Sequence, residues 1–208
     1  MSSERSAEKK GRSRNQSRAA QGLRSIRNRL FLPWFLKKMQ RLKIGGVSGG
    51  NRVTLITEGD RFFTEIITEI KRARSSINLE TYIFNSDDLG WTIAELLAKK
   101  AAAGIEVNDV YDAVGCLTTS PAVFDLMRGE GAEVLEYNPV APWKHYLSIN
   151  NRNHRKLLVV DGATAFVGGM NIGQEYAGKQ YRGNRWRDTH LKITGPAVRD
   201  MQFCFMET

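Results

Sequence analysis

The sequence has little cysteine and no long apolar run near its amino terminus, and both shortages narrow the classes of protein it can encode. Only two of the 208 residues are cysteines, Cys116 and Cys204. They lie far apart and match no metal-ligand spacing, so we expect neither a disulfide framework nor a zinc site. The longest apolar stretch in the amino-terminal region covers only residues 30–36, whereas a membrane-spanning helix needs about 20 residues. We therefore expect no transmembrane segment in this chain.

The charge is distributed unevenly along the chain. A formal net charge of +9 is typical of a nucleic-acid-binding protein. However, residues 1–43 hold 13 Lys/Arg against 2 Asp/Glu, whereas the rest of the chain holds 18 against 20. The basic excess therefore belongs to an amino-terminal arm, and the part expected to fold is nearly neutral. A nucleic-acid groove should be basic, so this distribution argues against nucleic acid as a partner.

The basic arm divides into two segments. Residues 1–22 are polar and rich in Ser and Arg, and they cannot bury enough surface to offset the entropy of folding, so we predict a disordered tail. Residues 23–50 combine a basic amphipathic segment with a Gly-rich linker, and Pro33 should kink or restart its helix. With Trp34 and Phe35, this segment could lie at a membrane surface, its cations on anionic lipid. The alternative is a solvated tail with one docking helix. A cleavable organellar targeting peptide is disfavoured, because such peptides are poor in acidic residues and this arm contains Glu4 and Glu8.

From residue 51 to 208 the pattern changes to strands that alternate with helices. Strands are predicted at 52–57, 77–84, 105–112, 132–137 and 188–193, with a hairpin of 154–161 and 163–169 around Asp161-Gly162. A first helix is predicted after a turn at 58–60, with Asp60 as a plausible cap. Further helices are predicted at 88–103, at 121–129 and from 196 onward. This alternation predicts an α/β fold in which helices cover both faces of a mixed sheet.

The hairpin begins with NHRKLLVVDG, which places polar residues at the start of an apolar strand. Because positions i and i+2 of an extended strand share a face, His154 and Lys156 should point the same way and could touch one phosphate together. Leu157 and Val159 should face the opposite side and enter the core. An isolated H-x-K at a strand entrance would ordinarily be a pair of surface residues. Asp161 has the opposite parity and sits at the turn, so we assign it to holding local structure.

The longer pattern is more specific than that pair. The segment fits H-x-K-x4-D and is followed by Gly168-Gly169-Met170-Asn171. Together they resemble the signature of the phospholipase D superfamily with its trailing G-[GS]-x-N. A wider resemblance to the amino-terminal half of bacterial cardiolipin synthases is carried by GNRVTLITEGDRFF, INLETYIF, YDAVG, HRKLLVVDG, AFVGGMNIGQEY and WRDTHLKITGPAV. It covers nearly all of residues 50–208 and implies a phospholipase D-like fold, with one of the two catalytic halves usual for the family.

The resemblance also implies a reaction. Members of this family attack a phosphodiester with a histidine, without a metal or cofactor, and an alcohol or water then opens the phosphohistidine. His154 would be the nucleophile or its acid/base counterpart. Lys156 and Asn171 would hold the non-bridging phosphate oxygens. Asp188, in WRDTH, matches the acidic residue that holds the other nitrogen of the imidazole.

Several of these residues have a structural alternative. Asn171 could instead cap a helix that starts at Ile172. Asp188 could pair in solvent with one of the arginines beside it, Arg185 or Arg187. In LETYIF, the acidic and tyrosine side chains, Glu80 and Tyr82, could line the cleft, but a buried glutamate with satisfied hydrogen bonds is an equal interpretation.

The chain offers one motif, although the reaction needs two histidines, because the leaving alkoxide must be protonated while the first histidine attacks. His190 begins the only other H-x-K, but the position seven residues later is Ala197, and His145 has no motif around it. Either a carboxy-terminal half is missing, or two copies pair and each donates His154. We favour the first account because the likeness is to a synthase half. A half without its partner would expose an apolar face.

We therefore expect a phosphatidyltransferase of the cardiolipin synthase type, or its amino-terminal half. Its partners would be anionic phospholipids, with phosphatidylglycerol as the expected substrate, and it would lie peripherally on the bacterial cytoplasmic membrane. One rival is a homodimeric phospholipase D-like phosphodiesterase or nuclease. The other is a catalytically incomplete membrane-binding fragment.

Overall fold

The computed structural model describes residues 33–35, 37–38, 48–140, 151–184 and 186–208. The predicted tail at 1–22, most of the segment at 23–50, His145 and Arg185 lie outside the described residues. Residues 33–35 and 37–38 are helical, and the Lys38 ammonium lies 5.1 Å from the centroid of the Trp34 ring. Within the described ranges, no helix is long and apolar enough to cross a membrane.

Residues 49–208 form one compact unit, and the described part of it contains a mixed sheet of seven strands. The strands are β1 Arg52–Ile56, β2 Ser76–Thr81, β3 Glu106–Asp112, β4 Glu133–Tyr137, β5 Leu157–Val160, β6 Thr164–Gly168 and β7 His190–Thr194. The helices are α1 Gly59–Arg72, α2 Asp88–Ala102, α3 Pro121–Gly129 and α4 Ala197–Met206, with short 3-10 turns at Gln174–Tyr176 and Lys179–Tyr181. The predicted α/β fold is confirmed, although β2 and β5 are shorter than the sequence indicated.

The order of the strands brings distant segments to one edge of the sheet. The order is β1-β7-β6-β5-β2-β3-β4, in which β2, β3 and β4 are parallel and the other neighbours are antiparallel. The carboxyl ends of β2, β3 and β6 therefore lie at the same edge as the amino ends of β5 and β7. We call this the site edge; it carries Tyr82, Asp112, His154, Asn171 and Asp188. Open α/β sheets commonly bind ligands at such an edge.

Helices cover both faces of the sheet. Helices α1, α2 and α3 cover one face with the larger apolar core, to which β5 contributes Leu158 and Val160. Helix α4 covers part of the other face, where Leu157 and Val159 enter a smaller core, as parity predicted. Each fully buried side chain of this kind contributes roughly 1.5–3 kcal/mol. Strand β5 is thus buried on both sides, and this burial explains its uninterrupted apolar sequence.

Helix α4 leaves part of its face of the sheet uncovered. Val53 and Leu55 of β1 pair with residues of β7 that pack against α4, yet they are 56% and 58% exposed. Leu135 of β4, Phe203 and Met206 are also more than half exposed. Among the described residues, this side of the sheet therefore exposes several large apolar side chains, more than the occasional single ones that are normal on a protein surface.

The predicted cap of α1 is wrong. The helix begins at Gly59 with Glu58 at its N-cap position and no side-chain capping bond. Asp60 lies in the first turn, and its carboxylate accepts hydrogen bonds from the backbone N–H groups of Gly178 at 2.8 Å and Gln180 at 3.2 Å. A cap residue bonds its own helix, whereas Asp60 fixes a loop more than a hundred residues away, which no local pattern indicates.

Candidate active site

His154 and Lys156 lie together at the site edge, immediately before β5. The His154 ring packs against the Tyr82 ring with centroids 4.6 Å apart, and the Lys156 ammonium lies 5.1 Å from the centroid of the same ring. Lys156 Nζ also donates a hydrogen bond to the His154 carbonyl at 2.9 Å. The His154 side chain is exposed, whereas Lys156 is only 5% exposed. The site therefore combines an imidazole open to a substrate with a cation held in the protein.

The surroundings change the acid–base properties of both groups. Burial lowers the pKa of Lys156 to about 8, although the carboxylates of Asp188 and Asp112 oppose this change. Burial and the neighbouring Lys156 cation lower the pKa of His154 below its usual range, and Asp112 again opposes the change. At neutral pH the imidazole is therefore mainly neutral, with a lone pair free for attack, while most of the lysine keeps its charge.

Asp112 is a site residue that the sequence interpretation missed. Its fully buried carboxylate ends β3 and accepts hydrogen bonds from the N–H groups of Val114 at 2.9 Å and Gly115 at 3.2 Å. It also accepts one from the Asn153 N–H at 2.8 Å and lies 3.5 Å from Arg152 Nη1. Asp112 thus holds the two residues that precede His154. The segment YDAVG carried a signal for it, because an Asp at a strand end often bonds the backbone of the following turn.

Asn171 contacts the end of β2 and does not cap a helix. Its Oδ1 accepts a hydrogen bond from the Ile83 N–H at 3.1 Å, and its Nδ2 donates to the Tyr176 hydroxyl at 2.6 Å. The alternative of a helix starting at Ile172 is wrong, because Ile172 exchanges backbone hydrogen bonds with residues 83 and 85 and is extended. One of the two Nδ2 hydrogens serves Tyr176, and the other can serve a phosphate oxygen.

Asp188 lies close to Lys156, but the expected hydrogen bond to His154 is not formed. The structure shows no hydrogen bond between the described side chains of Asp188 and His154. Instead, the Asp188 carboxylate accepts a hydrogen bond from the Thr189 N–H at 2.6 Å. The carboxylate also lies directly over Gly169, where an added Cβ would be 2.1 Å from Asp188 Oδ1. The second glycine of the trailing G-[GS]-x-N pattern, Gly169, thus makes room for this acidic group.

Asp161 lies at the opposite end of β5, away from the site edge. Both Asp161 and Gly162 have positive φ, of 53° and 60°, as an Asp-Gly hairpin turn requires. The Asp161 carboxylate accepts hydrogen bonds from the N–H groups of Arg74, Ser75 and Ser76 and from the Ser75 hydroxyl. Burial raises the pKa of Asp161, but these hydrogen bonds outweigh burial and lower it overall. The residue joins the hairpin to the start of β2.

His190 is part of the core. It is 2% exposed, its ring packs against Phe62 with centroids 4.3 Å apart, and its Nδ1 accepts from the Met170 N–H at 3.3 Å. Burial, with a smaller effect of Lys156, lowers the pKa of His190 to about 3. It is therefore neutral and enclosed at physiological pH, and of the two described histidines only His154 is open to solvent.

A polar cavity of about 380 Å³ opens beside His154. It is lined by Tyr137, residues 151–155, Glu207 and Thr208. The arginines at 152 and 155 make it suited to a negatively charged group, and its volume is within the usual range for a small-molecule site.

The fold and the site together define a phospholipase D-like protein. The structure is similar to a phospholipase D family member, Nuc from Salmonella typhimurium, with a TM-score of 0.54 and 18% identity over 76% of this chain and 92% of that chain. It is also similar to phosphatidylserine synthase from Haemophilus influenzae, with a TM-score of 0.59 and 18% identity over 74% of this chain and 36% of that chain.

The family model of the cardiolipin synthase PLD-like domain matches residues 66–186, and the chain belongs to this family. It is 41% identical to the cardiolipin synthase of Geobacillus kaustophilus over 161 residues, which cover 77% of this chain and 32% of that protein. The chain spans about a third of the length of the curated relatives that it matches. The predicted family and superfamily are confirmed.

Proposed function

We propose that this chain is a catalytic half of a cardiolipin synthase-type phosphatidyltransferase, which moves a phosphatidyl group from one phospholipid to a hydroxyl of another. The observation that carries the proposal is the pairing of an exposed, neutral His154 with a buried, charged Lys156 on one tyrosine ring. A nucleophile and a phosphate-binding cation are the two groups that phosphodiester attack requires.

The proposed reaction has two steps. An imidazole nitrogen of His154 attacks phosphorus, the bond to the leaving oxygen breaks, and a second histidine protonates the departing alcohol. That histidine then removes a proton from the hydroxyl of the acceptor lipid, the new oxygen–phosphorus bond forms, and His154 is released. Lys156 and the free Nδ2 hydrogen of Asn171 would stabilise the phosphate oxygens as charge builds on them. Asp188 supports the charge of Lys156, and it can orient His154 only when its carboxylate turns away from Thr189.

The second histidine would come from another H-x-K-x4-D half, in a carboxy-terminal half or in a second copy of this chain. The substrates would be anionic phospholipids, with phosphatidylglycerol as the expected one. The 13 Lys/Arg of residues 1–43 would hold the protein peripherally against the anionic cytoplasmic membrane of a bacterium. Each basic residue near such a surface contributes roughly 1 kcal/mol.

A homodimeric phosphodiesterase that acts on nucleic acid is the second candidate, because the chain itself contains a single motif. The near-neutral charge of the sequence after residue 43 argues against it, since a nucleic-acid groove should be basic. A membrane-binding fragment that lacks a complete site is the third candidate.

The test compares phosphatidylglycerol vesicles with single-stranded DNA as substrates for the wild type and for His154→Gln, after the mass in solution has been measured. Lipid transfer that is lost in His154→Gln would support the proposal. Cleavage of DNA by a dimer without lipid transfer would refute it in favour of the nuclease. A monomer that binds vesicles but transfers no lipid even when a carboxy-terminal half with a second H-x-K-x4-D motif is added would refute it in favour of the fragment.

A further inference from the structure

The segment that carries His154 is not held by the sheet. Strand β5 begins only at Leu157, and residues 151–155 belong to no strand. Side chains from neighbouring strands must therefore fix the position of the imidazole, and the expected gain from correct placement is large. A misplacement of a reacting group by 1 Å can reduce a rate by roughly 100-fold.

Glu80 of β2 contacts the residues on both sides of His154. Its Oε1 accepts a hydrogen bond from Asn153 Nδ2, and the same oxygen lies 3.8 Å from Arg155 Nη1. Asn153 in turn accepts, at its Oδ1, a hydrogen bond from the Arg155 N–H at 3.1 Å. The Asn153 amide thus connects Glu80 to the backbone just beyond His154, and this short chain of bonds sets the path of the segment.

Stability alone does not account for an acidic residue at this position. Glu80 is fully buried, and its Oε2 has no hydrogen-bond partner among the described residues. A buried oxygen without a partner lowers the stability of the folded state, and an apolar side chain of the same shape would avoid that loss. Polar groups that lower stability are commonly retained for the geometry of a site.

We propose that Glu80 is a positioning residue: through Asn153 and Arg155 it holds the His154 imidazole against the Tyr82 ring, in the orientation needed for attack. The inference rests on the proposed role of His154 as the nucleophile. Its geometric part, however, can be measured without any substrate, because the Tyr82 ring at 4.6 Å shifts the nuclear magnetic resonance signals of the His154 ring protons.

The experiment uses the full chain with labelled histidine, and His154→Gln assigns the signal. Glu80→Met keeps the length of the side chain but removes the acceptor for Asn153 Nδ2, so the His154 signals should move towards those of free histidine even though Asp112 still holds the Asn153 N–H. Asn153→Ala removes the same bond from the other side and should give the same displacement. Glu80→Gln keeps one acceptor oxygen, so its His154 signals should lie between those of these two variants and those of the wild type.

Asn78→Ala is the matched control. Asn78 lies on the same strand and face as Glu80 and is also buried, but it bonds Gln202 at 3.0 Å and Asn108 at 2.8 Å, away from the histidine segment. Its replacement should destabilise the protein without moving the His154 signals. In a lipid-transfer assay, Glu80→Met should lower kcat by roughly 100-fold with little change in KM.

Unchanged His154 signals in a folded Glu80→Met or Asn153→Ala would overturn the inference, whatever the activity. Should Glu80→Met fail to fold, Asn153→Ala decides alone. Displaced signals in a chain whose wild type transfers no lipid, even with a second H-x-K-x4-D half present, would leave the positioning role standing and count only against the proposed function.

Discussion

Replacement of Asp109 by asparagine is expected to stabilise the protein more at pH 8 than at pH 5. Asp109 lies on β3 and points into the larger core, where it is 1% exposed. Neither carboxylate oxygen has a hydrogen-bond partner among the described residues. Burial raises the pKa of Asp109 from 3.8 to about 7, and Arg128 opposes this only partly. Folding therefore requires either a buried proton or a buried, unpaired charge.

The size of the effect follows from this change in pKa. A carboxyl group whose folded pKa is raised favours folding fully below its unfolded pKa of 3.8, and this contribution is lost as the pH rises towards 7. The whole change corresponds to about 4 kcal/mol. Of this, roughly 2–3 kcal/mol falls between pH 5 and pH 8. Asparagine has nearly the same shape and does not titrate, so it removes this loss.

The assay is urea unfolding followed by circular dichroism at several pH values, on the wild type, Asp109→Asn and Asp200→Asn. Asp200 is an exposed residue of α4, and its replacement is the matched Asp→Asn control. Other titrating groups cancel when each variant is compared with the wild type at the same pH. A stability difference between Asp109→Asn and the wild type that is equal at pH 5 and pH 8 would refute the reasoning.

Two further predictions concern Lys156 and Asp161. Because the pKa of Lys156 is about 8, the lipid-transfer rate should fall as the pH rises above that value. Lys156→Arg should move this loss of rate to higher pH. Identical rate profiles of the two proteins at alkaline pH would contradict the role of the charge. Asp161→Ala should lower the free energy of unfolding by roughly 2–3 kcal/mol, because it removes the hydrogen bonds from three backbone N–H groups to a charged acceptor. In urea titrations the difference in unfolding free energy between Asp161→Ala and the wild type should become smaller at acidic pH, since the pKa of Asp161 is lowered and its contribution is lost on protonation. An Asp161→Ala variant as stable as the wild type at pH 7 would contradict this prediction.

Local sequence patterns predicted those features of the structure that depend on residues close together along the chain. The period of two residues in an extended strand predicted that Leu157 and Val159 enter the core, and the Asp-Gly pair predicted the hairpin turn. The spacing in H-x-K placed His154 and Lys156 together even though both residues precede the strand. Each of these depends on a few consecutive residues, whose backbone geometry repeats with a known period.

The remaining contacts depend on which strands are neighbours, and the sequence does not state that order. Asn171 reaches Ile83, and Glu80 reaches Asn153, only because β5 is inserted next to β2. Asp112 contacts the same segment because β3 follows β2 in the sheet. Such pairings link residues tens of positions apart, and side-chain types alone do not distinguish them from solvent-exposed polar groups.

The position of β1 has a consequence for synthesis of the protein. Among the strands that the structure describes, its only neighbour is β7, and roughly 140 residues separate the two strands. At about 5–20 residues per second, a ribosome needs roughly 7 to 28 s to complete that interval. During this time the first strand, with Val53 and Leu55, has left the ribosome without a partner. The nascent chain is therefore most prone to aggregate before β7 emerges, and slower translation would lengthen that period.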